Sequence, residues 1–144
     1  MKSRIVIPTA APEAYQALMN LEKYISTTSL TPTHKELIKI RASQINGCAF
    51  CINMHTAEAR KNGETEQRIY LTSAWREADI YTEEEKAILA LTEQVTMISN
   101  HVTDEVYQNA ARLFDDKYLA EIILMIITIN SWNRLAITTG LRAV

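Results

Sequence analysis

The stretch from Asn46 to Gly63, NGCAFCINMHTAEARKNG, holds both cysteines of the 144-residue chain and one of its three histidines. Cys48 and Cys51 are three residues apart, and His55 follows four later. On a helix that starts at Cys48, Cys51 lies one turn on, its Cα about 5–6 Å away and within the span of a disulfide. His55 then stacks on the same face as Cys51. The unpaired N–H groups and the dipole at a helix start favour a thiolate, so a cysteine there has a depressed pKa. Thiolates attack peroxides and disulfides, and a second thiol one turn away can resolve the sulfenic acid or mixed disulfide that results. A neighbouring imidazole can take up and return the proton. Glu36 is the fourth candidate. If the preceding helix ends at Gly47 and the chain reverses, Glu36 can face His55 across the helix pair, orienting the ring and raising its basicity.

The same residues admit other chemistry. Cys48, Cys51 and His55 are good zinc ligands, but a closed structural site wants a fourth, and neither His34 nor His101 sits in a paired motif. A c-type haem requires histidine directly after the second cysteine, where Ile52 stands. No βαβ pattern surrounds the pair, which argues against a thioredoxin fold. Glu36 by itself reads equally as a solvated helix cap, and the cysteines as buried core. A non-catalytic redox-sensing or metal-binding helical assembly module therefore stays open beside an enzyme.

The elements that must position these side chains are helical. Three glycines and three prolines punctuate the whole chain, and Ala, Leu, Glu, Lys and Gln are abundant. A first helix is expected from about Pro12 to Ile25, with Ala14, Leu18, Leu21 and Ile25 as its apolar stripe. A second starts near Thr33, with Glu36 in capping-box position, turns Leu37, Ile38, Ala42 and Ile45 inward, and ends before Gly47. The third runs from about Cys48 to before Gly63. A fourth, from about Thr65, carries Ile69, Tyr70 and Ala74 inward. Thr82 and Glu85 form a capping box for the fifth, whose core face is Ala87, Leu91, Val95 and Ile98. The sixth begins at Thr103 with acidic residues in its first turn. The last, from about Asp116 to Thr138, is apolar on nearly all sides and so is expected to be central or covered by another subunit.

At 47% apolar and 22% charged residues, the composition is that of a soluble globular protein, and residues 1–144 are expected to form one domain. A net charge of −2 gives no electrostatic case for nucleic acid or an anionic membrane. No secretion signal is read in Met1 to Pro8, and the apolar run Ile122 to Ile127 is too short to span a bilayer. Two cysteines are not a secreted disulfide framework, so the expected setting is the reducing cytoplasm. No cofactor is called for. Met97 and Met125 read as core, as does Trp132, which with Asn130 stands near the cysteine helix. Tyr24, His34 and His101 read as surface or capping groups, and "TEEEK" as a solvated helix start. Arg41, Arg76 and Arg134 are candidates for intersubunit ion pairs.

With these residues in place, the chain resembles the alkylhydroperoxidase D-like (AhpD-like) branch of the carboxymuconolactone decarboxylase family. That signature is a glutamate, eleven residues, Cys-x-x-Cys, three residues and a histidine, here Glu36, Cys48, Cys51 and His55. The flanks LIKIRASQINGCAFCINMHTAEARKNGETEQRIY, SAWREADIYTEEEKAILALTE and INSWNRLAI agree as well. The resemblance implies an all-α fold of about six to seven helices that assembles into trimers or hexamers. It also implies peroxidase and disulfide-reductase chemistry. A hydroperoxide converts Cys51 to the sulfenic acid, Cys48 donates a proton and closes the disulfide, and Glu36 and His55 relay the proton. An external dithiol regenerates the thiols; better-studied members use a lipoyl-bearing protein and pass electrons to a peroxiredoxin. Those members have a second histidine where this chain has Phe50. The decarboxylase branch generally lacks the cysteine pair.

Overall fold

With so few chain breakers, most of the described chain is helix. The structure, a computed structural model, describes residues 4–144; the first three residues of the Met1 to Pro8 reading lie outside the described part. Eight α-helices are present in it: α1 (Ile7–Ala10), α2 (Pro12–Ser26), α3 (Pro32–Asn46), α4 (Ala49–Lys61), α5 (Glu66–Leu71), α6 (Glu83–Thr96), α7 (Asp104–Leu113) and α8 (Asp116–Thr139). Two 3₁₀ segments, Thr72–Glu77 and Ile98–Asn100, follow α5 and α6. The fold is all-α as expected, and the single turn α1 is the one helix that sequence patterning did not reveal.

Local capping chemistry explains most of the starts. Thr65, Thr82, Thr103 and Asp115 each accept, through a side-chain oxygen, the backbone N–H three residues on. Thr82 and Glu85 complete a reciprocal capping box. The start of α3 differs from expectation. Thr31 is its cap, accepting from His34 N, and Pro32 takes the first turn, where its missing N–H costs nothing. Glu36 therefore lies beyond the capping turn and is buried.

At the centre is α8. Ile122, Met125, Ile126 and Ile129 pack with Ile25 and Leu30, with Ile38 and Ala42 of α3, and with Ile88 and Leu91 of α6. Among the described residues α8 alone is long and apolar enough to cross a membrane by length and composition. It also carries buried polar groups tied to the rest of the fold. Ser29 donates from its backbone and hydroxyl to Glu121 (3.2 and 2.7 Å). Asn130 donates to Thr96 Oγ1, and Asn133 to Ser43 Oγ.

Several side chains face the other way from the periodic reading. Tyr70 is 69% and Ile98 56% exposed, and Met97, Ala74 and Ala14 are exposed too. After Leu71, and again at Ile98, the backbone tightens to a 3₁₀ path, and the period drops from 3.6 to about 3.0 residues. That shift brings Thr72 and Trp75 inward in place of Ala74. In α2, Ile25 is the one buried residue, so the expected stripe there is only half covered. His34 is no free surface group: its Nδ1 lies 2.7 Å from Tyr118 Oη. Glu85, part of "TEEEK", is buried and accepts from Arg68 Nη2 at 2.6 Å.

The arginines pair within the chain. Glu93, buried on α6, accepts from Arg41 Nε (2.8 Å), Arg76 Nη1 (2.6 Å) and Trp75 Nε1 (2.9 Å). Arg134 donates to Asn130. Burial pushes the Glu93 carboxyl up, but the hydrogen bonds from Trp75, Arg76 and Arg41 outweigh it and hold the group below its ordinary 4.5. Its stabilising contribution is complete above that ordinary value and is lost as pH falls through the lowered one. The Glu93 contribution to the melting temperature is expected to be level from neutrality to about pH 5 and to fall in stronger acid. Glu93→Gln should lower stability at neutral pH by about 1.5–3 kcal/mol and flatten the acid dependence, measured by thermal denaturation across pH. An unchanged melt would show that the cluster contributes nothing net.

Candidate active site

The site is built at the junction of α3 and α4. Gly47 adopts the left-handed conformation (φ 70°), ends α3 and reverses the chain. Just ahead of it, Asn46 donates from Nδ2 to Asn130 Oδ1 and Asn133 Oδ1, both at 2.9 Å, which fastens the end of α3 to the central helix. Cys48 is thereby fixed as the cap of α4. Its Sγ accepts the Cys51 N–H at 3.4 Å, and its backbone N donates to Ser43 O.

Cys48 and Cys51 form a disulfide, with Cα atoms 5.3 Å apart. Both residues are 2% exposed and pack with Ala136 and the half-buried Phe50. They differ in access. Cys51 forms part of the wall of a cavity of about 740 Å³ between α2, α3, α4 and α8, and Cys48 does not. The cavity is largely apolar, with Tyr15, Met19, Phe50, Met54, Trp132 and Leu135 among its walls.

His55 and Glu36 line the same cavity. His55 Nδ1 lies 3.4 Å from Glu36 Oε2, and that buried oxygen has no hydrogen-bond partner, so the imidazole is the nearest polar group to it. With Nδ1 facing the carboxylate, Nε2 is the ring atom left for proton transfer. The other carboxylate oxygen, Oε1, meets Lys39 Nζ at 3.1 Å. Burial pushes the Glu36 carboxyl up; contact with His55 and the charge of Lys39 outweigh it, and the net effect places it below 4.5. This arrangement keeps a charged carboxylate beside the imidazole.

Of the four residues singled out, Cys51, His55 and Glu36 share one cavity, and Cys48 is joined to Cys51 outside its wall. Lys39 was missed, although its i, i+3 separation from Glu36 was a readable signal. Trp132, read as core, is half-buried in the cavity wall; its Nε1 donates to Glu22 Oε2 at 2.9 Å, and Tyr15 meets it edge-on with ring centroids 5.7 Å apart. Asn130 anchors the end of α3, while Tyr24 is exposed and outside the cavity wall. Among the described residues, no group of three or more His, Cys, Asp and Glu side chains is placed to hold a metal ion. The two sulfurs are joined in the disulfide, His34 is hydrogen-bonded to Tyr118, and His101 is exposed.

The sequence profile described as "Carboxymuconolactone decarboxylase family" matches residues 12–94, more than half of the chain. The Bacillus subtilis protein YdfG is 50% identical over 144 residues, which span 99% of this chain and 98% of that one. A protein of unknown function from Agrobacterium tumefaciens, provisionally assigned to antioxidant defence as AhpD, superposes with a TM-score of 0.94 at 41% identity, over 99% of both chains. A peroxidase-related protein from Ralstonia eutropha, with an alkylhydroperoxidase AhpD core, superposes at 0.82 over 95% of this chain and 74% of that one; at 21% identity it speaks for the fold alone. Profile, close relatives and the Glu-Cys-Cys-His constellation agree: the chain belongs to the carboxymuconolactone decarboxylase family, as an AhpD-like member.

Proposed function

We propose that this protein is a thiol peroxidase and disulfide reductase in which Cys51 is the peroxide-reactive sulfur. The observation that carries this reading is asymmetric access: of two sulfurs joined in a disulfide, only Cys51 borders the cavity that His55 and Glu36 also line. In the reduced protein the Cys51 proton moves to His55. The thiolate attacks the distal peroxide oxygen, the O–O bond breaks, and the departing alkoxide takes the proton held by His55 and leaves as alcohol. The Cys48 thiol then attacks the Cys51 sulfenic acid: the S–S bond forms, the S–O bond breaks, and the departing hydroxide takes the Cys48 proton and leaves as water. An external dithiol reduces the bridge through a mixed disulfide and is itself oxidised to a disulfide.

A largely apolar cavity suits organic hydroperoxides better than hydrogen peroxide, because a polar oxidant gains little from apolar walls. By family resemblance the donor is a lipoyl-type dithiol, with a peroxiredoxin as a further partner, and the reducing cytoplasm suits such a cycle. A trimer or hexamer would cover the apolar groove of about 500 Å³ bordered by Val95, Ile98, Tyr107, Ile123 and Ile127. A second reading, a redox sensor without turnover, is favoured by the burial of both sulfurs.

The test is to treat reduced protein with a hydroperoxide and a sulfenic-acid trap and to read the adduct by mass spectrometry. Adduct on Cys51, increased when Cys48 is replaced, supports the assignment. Adduct on Cys48 reverses the roles. One round of oxidation that a dithiol cannot convert into steady turnover points to the sensor.

A further inference from the structure

The lysine beside Glu36 is unusually placed. Its side chain is 13% exposed and the Glu36 side chain 7%, so the two charges have left water together. Surface pairs at i, i+3 contribute little, but a buried pair has lost most of its hydration, and neither member can be removed without leaving the other uncompensated. Lys39 also borders the cavity that holds Cys51 and His55. A carboxylate whose task was only to carry a proton would be hindered by such a neighbour, because an adjacent ammonium resists protonation of the carboxylate.

We propose that Lys39 is a positioning residue of this site: by engaging Oε1 of Glu36 it keeps that carboxylate charged and leaves Oε2 for His55, so that the proton drawn from Cys51 rests on the imidazole. The inference deepens the peroxidase reading and rests on it for the identity of the proton donor. Other charges around Glu36 do not substitute for Lys39. Lys35 on α3, Glu58 on α4 and Glu22 on α2 line the same cavity. The two acids carry the wrong sign to stabilise a carboxylate, and Lys35 makes no ion pair with Glu36. Glu36 also borders a second cavity, of about 230 Å³, lined by Glu64, Arg68 and Glu85. There the arginine is already engaged by the two acids, at 2.8 and 2.6 Å. No titratable side chain of α8 lines either cavity. Lys39 is therefore the permanent cation in contact, beside an imidazole that is charged only when protonated.

The test is a pH titration of the Glu36 side-chain carboxyl by carbon NMR, on protein labelled at glutamate, with the signal identified by its loss in Glu36→Gln. Wild type should ionise below the ordinary 4.5. Lys39→Met, which keeps the stem and removes the charge, should raise that titration by about one pH unit or more. Lys39→Arg should restore it. Lys39→Gln provides a polar second variant if the methionine form does not fold, with helix content checked by circular dichroism. In parallel, the acid limb of the peroxide oxidation rate should move upward in Lys39→Met and return in Lys39→Arg. A folded, uncharged variant with an unmoved Glu36 titration overturns the proposal. If the wild type fails to react with any hydroperoxide, the peroxidase reading falls, while the carboxyl titration still decides what Lys39 does to Glu36.

Discussion

Cys51→Ser is expected to reduce dithiol-dependent hydroperoxide turnover to background while leaving the helices in place. A serine hydroxyl is far too weakly acidic to supply the nucleophile, and oxygen cannot close the disulfide with Cys48. The structural cost is small. The bridge joins residues three apart, and the chain-entropy estimate for so short a loop is at most about 2 kcal/mol. The replacement keeps a small side chain in the same buried position. Steady-state peroxide consumption, read beside circular dichroism and thermal melting, separates lost chemistry from lost fold. Cys48→Ser should differ in kind: Cys51 still reacts once, its sulfenic acid accumulates, and the cycle stops there. Full turnover by Cys51→Ser would show that the cavity-facing sulfur is not the reactive one.

Glu36→Gln is expected to slow the first oxidation of reduced protein by about 10²-fold or more, the scale of losing acid–base assistance. Glutamine nearly matches the shape of glutamate but removes the charge, so the imidazole loses the partner that stabilises it when protonated. An amide placed between the Lys39 ammonium and the His55 ring must also direct its N–H₂ group toward one of two donors. The rate is best followed in single turnover by stopped flow, because a slow reductant would mask it in the steady state. An unchanged rate would return Glu36 to a structural role.

What could be read from the chain follows the range of the interactions. Helix starts at Thr65, Thr82 and Thr103 were legible because a cap is a three-residue affair, and a hydroxyl either stands before the right N–H or does not. The same holds for Cys48, Cys51 and His55, which share one short stretch at helical spacing. Glu36 opposite His55 required a tertiary step, yet one that Gly47 announced by marking where the chain reverses. The cavity walls were another matter. Tyr15 and Trp132 are 117 residues apart and meet because α2 crosses α8, a crossing that no local pattern encodes. Glu93 was equally hidden. A buried carboxylate is held by partners from several elements, here Arg41 on α3 and Trp75 and Arg76 on a 3₁₀ segment, and the periodicity of α6 says nothing of them. Met97 and Ile98 went astray because an apolar pattern carries on past the point where the backbone changes its pitch.

The thin anchoring of α2 bears on how the cavity admits its guests. One of its fifteen residues is buried, yet Tyr15, Met19 and Glu22 make up one side of the chamber. A segment with so few buried side chains belongs toward the low end of local unfolding free energy, whereas the α3–α4 side is stapled by asparagines. A fixed aperture would sort molecules by girth. In the proposed cycle, a yielding wall above a rigid sulfur would instead sort them by how willingly they shed water, so that bulky greasy oxidants and slender reducing arms could share one doorway.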